Sequence, residues 1–474
     1  MEGTIIFYLG LDYIKGTLTD ECGNIILSEQ RELRLRMDEE YAEQEPEQWY
    51  TSIIDIIRSM QSSVTDFKIT AMTITYQPGT YVCVDRYGKP LMNAILPCDR
   101  RAKYQIHLCE KIIKGHGNGY FIPWNLMILP RLLWIKFNKT DVYRRIFKVL
   151  TPDGYIAYRM SGESAIDSYS ALLMGYNNEY GSYDSRLIEA LELDRGIFPS
   201  VIKTGECIGM VAGEARDMIG LNCDAKIFML SSSLLPLAVI TRNEGKGMPV
   251  YDSESSFLCF INGDSRIKGD KEITRINYHG NDYYFLQGNY EMHFMKCIKK
   301  LFGCQNSITE NYSAGSNGLV VLPYIMGNNR LYGSDIKGTI IGIGDNTASD
   351  VLTATYEALG YTMKERFDEL HEYGLKAEEL EMLYQPDDKL FPQIVSNIIS
   401  RKVMTKNFND IYNSAVFCIL NNSEKLLNIE VSTYMPDEGE SFKYRHLYNL
   451  YKSTSDSLSG IYRYRRKIMR RISI

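Results

Sequence analysis

The stretch Ile5–Leu27, IIFYLGLDYIKGTLTDECGNIIL, constrains this chain more than any other. Ile5, Phe7, Leu9 and Leu11 form an apolar run of a length that suits a buried strand. Asp12 stands where that strand ends. Tyr13–Thr19 reads as a second strand, and Glu21-Cys-Gly-Asn24 supplies turn chemistry before a third at Ile25–Leu27. An acid at the tip of an early buried strand can hold Mg²⁺ beneath a nucleotide, provided that glycines follow it to wrap phosphate. Here Tyr13 and Ile14 occupy the tight turn, and no glycine comes until Gly16. Asp12 is therefore either a Mg²⁺ ligand or a residue that ends a strand.

A chain of 474 residues is too long for one ordinary core and predicts two domains. The net charge of −6 gives no general attraction to nucleic acid or to an anionic membrane. The C-terminal stretch breaks this balance: Arg463, Arg465, Arg466, Lys467, Arg470 and Arg471 occur without an acid among them. Without those six, the body carries 47 basic against 59 acidic residues, a net −12. A solvated C-terminal helix accounts for such a tail. Ten cysteines lie scattered without a CxxC pair, which predicts reduced thiols in a cytoplasmic protein rather than a disulfide frame or zinc site. The N-terminus enters a strand directly, so no signal peptide is expected. No apolar run reaches the ~18 residues of a membrane span.

Along the chain, Glu43-Gln-Glu-Pro-Glu-Gln-Trp-Tyr50 opens a helix with Pro46 in its first turn and Trp49, Ile53, Ile54 and Ile57 as its apolar stripe. Strands are predicted at 69–75, 81–84 and 94–96, and helices at 130–137 and 142–147. Gly115–Gly119 is glycine-rich, but no helix start or Lys-Ser/Thr follows, so it reads as a turn rather than a phosphate cradle. Lys226–Leu230 is a strand running into Ser231-Ser-Ser233 and a helix. Breakers at Gly245–Pro249 mark a boundary. The second half repeats the outline of the first, with strand hairpins followed by helices. The expectation is an α/β chain of two domains, 1–245 and 250–450, with a cleft between them and a basic tail at 451–474.

Several segments in order resemble one family. Pro130-Arg-Leu-Leu-Trp134 matches a Pro-Lys-Leu-x-Trp core with Arg for Lys. Ala42–Trp49 resembles an "EQDPEEW" helix start, and Asp85–Arg101 resembles "DxxGxPLxxAILWxDxR". Leu322–Gly327 followed by Ile336–Ile343 resembles "LPYLxGER…RGxFxGL", and Asp350–Glu357 resembles a second signature. Together these resemble the FGGY family of carbohydrate kinases, and within it the xylulokinases, over about residues 5–450. The resemblance implies two ribonuclease H-like domains of the actin/hexokinase type. It also implies transfer of the γ-phosphoryl of MgATP to a sugar such as xylulose, and often a homodimer. That chemistry needs backbone N–H groups around phosphate, an Asp that takes the hydroxyl proton, Mg²⁺ and an adenosine pocket.

This sequence departs from the family at each of those parts. After Asp12 the Gly-Thr portion of the first phosphate loop is missing, which removes the backbone donors that would cradle phosphate and leaves Asp12 as a possible Mg²⁺ ligand. Ser233 falls on the position of the catalytic Asp and has no accessible anionic form at pH 7. Asp224 precedes a strand of about seven residues, some 20 Å from the tip. The second phosphate loop, "SLGTSG" in the family, reads Tyr251-Asp-Ser-Glu-Ser-Ser256. Glu254 there would sit beside triphosphate, at a cost of roughly 4 kcal/mol per like-charge pair at ~4 Å. The adenosine turn aligns with Glu381–Phe391 and keeps no glycine, so Tyr384 and Gln385 would fill its space. The sugar pocket is half kept: Gln77 remains, the family His is replaced by Gly79, and Gln44, Glu43, Asp99 and Arg101 persist. Asp99–Arg101 also reads as a local ion pair, and Gln44 as a helix-start polar residue. Three functions follow as alternatives: a non-catalytic family member with a binding or regulatory role, an active sugar kinase rebuilt around Asp12, Asp224 or Asp252, and a sugar sensor that works without ATP.

Overall fold

The computed structural model describes residues 2–472 except 39, 65–66, 115–125, 222–223, 246, 262–272, 289, 304–311, 326–336, 385–388 and 424. The glycine-rich stretch 115–119 and Gln385 therefore lie outside the described residues. The chain divides into two compact units. The first is built mainly from Met1–Val239 and Tyr412–Leu427, the second from Ile240–Lys268, Glu272–Ile411 and Asn428–Ile474.

The first unit opens with β1 (Glu2–Leu9), β2 (Tyr13–Asp20), β3 (Ile25–Glu32), β4 (Leu35–Met37) and β5 (Ala42–Gln44). The residues of β1 from Ile5 to Leu9 are all buried because the strand lies inside the sheet, whereas β3 alternates at its edge. α1 (Pro46–Ser63) starts on Pro46 and buries Trp49, Ile53, Ile54, Ile56, Ile57 and Met60 along one face. β6 (Lys68–Tyr76), β7 (Ala94–Ile95), α2 (Ile128–Asn138), α3 (Pro152–Ser161), β8 (Ala165–Asp167), β9 (Cys207–Met210), β10 (Lys226–Ser232) and α4 (Leu234–Glu244) follow. The predicted helix over 142–147 is only a four-residue turn of helix, Thr140–Tyr143, and the chain then forms a strand at Lys148–Leu150 that pairs with Val82–Val84. The β-branched Val149, paired opposite the Val82-Cys-Val84 strand, fits a buried strand better than a helix.

The main sheet runs β9-β10-β6-β1-β2-β3. β1 is antiparallel to β2 and parallel to β6, and β6 is parallel to β10. The second unit repeats this plan with β11 (Val250–Asp252), β12 (Phe257–Ile261), β13 (Ile273–Tyr278), β14 (Asn281–Gln287), β15 (Glu379–Tyr384), β16 (Lys402–Asn407) and β17 (Val431–Tyr434), in the order β13-β14-β12-β11-β15-β16-β17. Its first strand, β11, is again antiparallel to the next and parallel to β15, which is parallel to β16. Each unit thus carries the same kernel: an opening hairpin, then parallel strands added on the far side of its first strand. In the second unit, α5 (Ala348–Glu369) runs through the core and starts with a capping box between Thr347 and Asp350. The basic residues 463–471 belong to α6 (Glu438–Ile472), one helix of 35 residues whose buried face includes Tyr444, Tyr448, Tyr451 and Tyr462.

Candidate functional site

The β1–β2 connection closes on itself. Gly10 N donates to Tyr13 O at 2.9 Å, and Leu9 pairs with Ile14, so only Leu11 and Asp12 form the tip. The Tyr13 ring packs against Gly10 so closely that an added Cβ would meet it at 2.8 Å. Tyr8 lies 5.9 Å from the Tyr13 ring and 5.4 Å from that of Tyr412. Gln44, read in the sequence as a helix-start residue, is on β5 and braces this tip. Its Nε2 donates to Gly10 O (3.3 Å) and Leu11 O (2.7 Å), and its Oε1 accepts from Trp49 Nε1 (3.1 Å). The Gln44 amide is fully engaged in holding the hairpin. Asp12 is half-buried, and its carbonyl accepts from Leu33 N at 2.8 Å. Among the described residues no group of three His, Cys, Asp or Glu side chains is placed to hold a metal ion.

Ser233 lies where β10 passes into α4, the parallel partner of the β6 end. Its N–H donates to Tyr76 O at 2.7 Å, and its carbonyl accepts from Leu237 N. The side chain is fully buried, and its Oγ has no hydrogen-bond partner. Gln77, just past β6, is also buried. Its carbonyl holds the turn to Thr80, while its Oε1 is unpartnered. Gly79, which stands in place of the family His, has φ +85°, and an added Cβ would meet Leu126 O at 2.8 Å. Backbone conformation and space both reserve that position for glycine. Asp224 lies exposed before β10 and pairs with Arg216 at 2.7 Å.

Asp99 and Arg101 form the centre of a buried ionic cluster. The Asp99 carboxylate accepts from Ala42 N (2.7 Å), Arg101 N (3.1 Å), Arg101 Nε (2.8 Å) and a terminal guanidinium nitrogen (2.7 Å). The same guanidinium reaches Glu43 at 2.7 Å and lies over the rings of Tyr41 and Trp134. Arg131, the Arg of the Pro130–Trp134 segment, is buried and donates to the carbonyls of Leu96, Leu126 and Met127. The residues that carry the sequence resemblance here tie β5, β7 and α2 together, with their charges matched internally.

In the second unit, the turn after β11 is filled by its own acid. Asp252 Oδ1 accepts from Glu254 N (2.9 Å) and Ser255 N (3.2 Å), and Oδ2 accepts from Ser255 Oγ (2.5 Å). The sequence pointed to Glu254 as the obstacle to phosphate. The structure places Asp252 inside the turn. Tyr384, at the end of β15, is buried against Phe391.

Two groups of buried acids were missed. Asp153 and Asp167 are wholly buried, each with one unpartnered oxygen, near the Tyr76–Ser170 hydrogen bond. Burial raises the carboxyl pKa of both, and the charge of Asp167 raises that of Asp153 further. Lys406 joins Glu381 (2.9 Å) and Glu244 in the second unit. The only signal for the first group was the Asp-Ser-Tyr-Ser cap at 167–170, whose Asp accepts from Tyr169 N and Ser170 N.

Residues 4–231 match the FGGY family of carbohydrate kinases, N-terminal domain. That stretch of the chain is similar to an FGGY N-terminal domain. The FGGY-like chain resembles the xylulose kinase of Staphylococcus xylosus, at 21% identity over 450 residues that cover 88% of this chain and 92% of that protein. The xylulose kinase of Lactococcus lactis is 25% identical over 355 residues, covering 71% and 70%. Among solved structures, ligand-bound xylulose kinase from Lactobacillus acidophilus superposes with a TM-score of 0.78 at 19% identity, covering 98% of this chain and 99% of that one. Plasmodium falciparum glycerol kinase with ADP gives a TM-score of 0.69 at 15% identity, covering 96% and 99%. The FGGY-like chain therefore has the two-domain α/β fold of these kinases.

Proposed function

We propose that this protein is a catalytically silenced relative of the xylulose kinases, which keeps the sugar-kinase scaffold for a binding or regulatory role. The observation that carries this reading is Ser233. At the strand-to-helix junction that aligns with the family's catalytic acid, the side chain is a buried, unpartnered hydroxyl. A general base contributes about 10²–10⁴-fold to such a reaction, and a serine hydroxyl cannot take up a proton at neutral pH. The acids considered for a rebuilt site do not replace it: Asp224 is an exposed surface ion pair, and Asp252 is consumed by its own turn. Nor do the residues present fit MgATP. The Asp12 tip is a two-residue hairpin closed by Gly10 N donating to Tyr13 O, without the glycine-rich loop that would wrap phosphate, and the Asp252 turn already holds a carboxylate.

The test is an ADP-release assay on the full chain with D-xylulose, other ketoses and polyols. No sugar-dependent ADP should appear above the enzyme-free rate. Turnover that is abolished by Asp12→Ala would instead establish the rebuilt kinase.

One observation favours a second reading, sugar binding without ATP. Gln77 Oε1 and Ser233 Oγ are both buried and unpartnered, at the ends of the neighbouring parallel strands β6 and β10. Buried polar atoms without partners are uncommon, and a ligand hydroxyl is one way to satisfy them. Under this reading a sugar raises the melting temperature of the wild-type chain and fails to do so for Gln77→Leu. Arg101→Ala is a poor probe of this, because it dismantles the ionic cluster.

A further inference from the structure

The turn Asp252–Ser256 keeps the backbone of an anion cradle and supplies its own anion. Ser256 has φ +57°, in the left-handed region that residues other than glycine seldom enter. The aligned family position is a glycine, so the turn has held its shape while losing the residue that makes the shape easy. Within it, two successive backbone N–H groups, of Glu254 and Ser255, converge on Asp252 Oδ1, and the Ser255 hydroxyl donates to Oδ2. Successive N–H groups that converge in this way form a concave anion site. The outer side of the turn is tied down: Ser253 N and Oγ both donate to Leu383 O, and Gly288 N donates to Ser256 O. Burial pushes the Asp252 carboxyl up to about 6, against the pull of those donors, which favour its charged form.

We propose that Asp252 is a tethered occupant of an oxyanion nest, and that it excludes a phosphate from this turn by filling it. The proposal rests on the reading above that the turn is the counterpart of a phosphate loop. An external phosphate must evict a carboxylate attached to the same turn, which competes at a high effective concentration. A phosphate bound alongside would meet a like charge at short range. The ligand class of the nest is thus a small oxyanion, and the chain carries that ligand covalently.

Chemical rescue tests this. Asp252→Gly in the full chain removes the tethered anion and leaves the nest. The variant should lose melting temperature at pH 7.5, and sodium formate should restore about half or more of the loss in a saturable way. Formamide, and sodium chloride at equal ionic strength, should not. A response to formate no larger than that to formamide or chloride overturns the proposal. If Asp252→Gly does not fold, Asp252→Ser is read by the same comparison. The outcome is separable from the proposed function: MgATP binding by the wild-type chain would sink the silenced-kinase reading, whereas absent formate rescue sinks the nest whatever ATP does.

Discussion

At the scale of single residues, Asp99 and Arg101, read in the sequence as sugar-side candidates, are engaged with each other and with Glu43. Arg101 is held by Asp99 and Glu43 and lies over Tyr41 and Trp134, so its removal strands two buried carboxylates. Arg101→Ala should destabilise the first unit by about 3–5 kcal/mol, read as an early thermal or denaturant transition, because breaking a buried ion cluster leaves charge unpaired. A loss under about 1 kcal/mol would show that the cluster is solvated and exchangeable. Gly79 gives a second prediction. Restoring the family histidine, Gly79→His, meets both a left-handed φ and Leu126 O, so it should lower the melting temperature rather than repair the site. The sequence alone showed that the histidine was gone. It could not show that Gly79 takes a left-handed φ beside Leu126 O.

At the scale of elements, α5 offers a test by pH. Glu357 on this helix is buried and accepts from Gly315 N (2.7 Å), Ser316 Oγ (2.9 Å) and Tyr444 OH (3.2 Å), which ties the 315–316 turn and α6 to α5. Burial outweighs these donors and pushes its carboxyl up to about 7. A folded pKa above the unfolded value means that the native state binds the proton more tightly. This contribution to stability is therefore complete below the unfolded value near 4.5, and is lost as pH rises through about 7. Glu357→Gln should flatten the stability profile between pH 4.5 and 7 relative to wild type, by up to about 1.4 kcal/mol per pH unit. Parallel profiles for the two proteins would contradict the assignment. Elements were the most legible level of the sequence. The apolar run of β1, the Pro46 helix start and the strand leading to Ser233 each carry a local periodicity or cap that tertiary contacts reinforce. What stayed hidden were side chains whose partners lie far along the chain. Gln44 looked like part of a helix start because its partners at Gly10 and Leu11 are more than thirty residues away. Asp252 was read as a candidate acid for a rebuilt site, because only the folded backbone shows two N–H groups aimed at it.

At the scale of the whole molecule, each unit opens with a hairpin, and the two turns are held by different devices. The first shortens the tip to Leu11 and Asp12 and pins it with Gln44; the second fills its turn with a carboxylate. The sheet order repeated in both units survives because it depends on buried strands, not on the residues at their tips. The likeness to the family could be read along the sequence for that reason: it rests on the spacing of scaffold residues rather than on the residues at strand tips. The central claim is that this scaffold no longer holds nucleotide. Isothermal titration of the full-length chain with MgATP, supported by thermal melts at millimolar MgATP, measures this directly. The account predicts no binding heat and no shift in melting temperature. A saturable isotherm with a rise of several degrees, as linkage requires of a ligand well above its Kd, would contradict it.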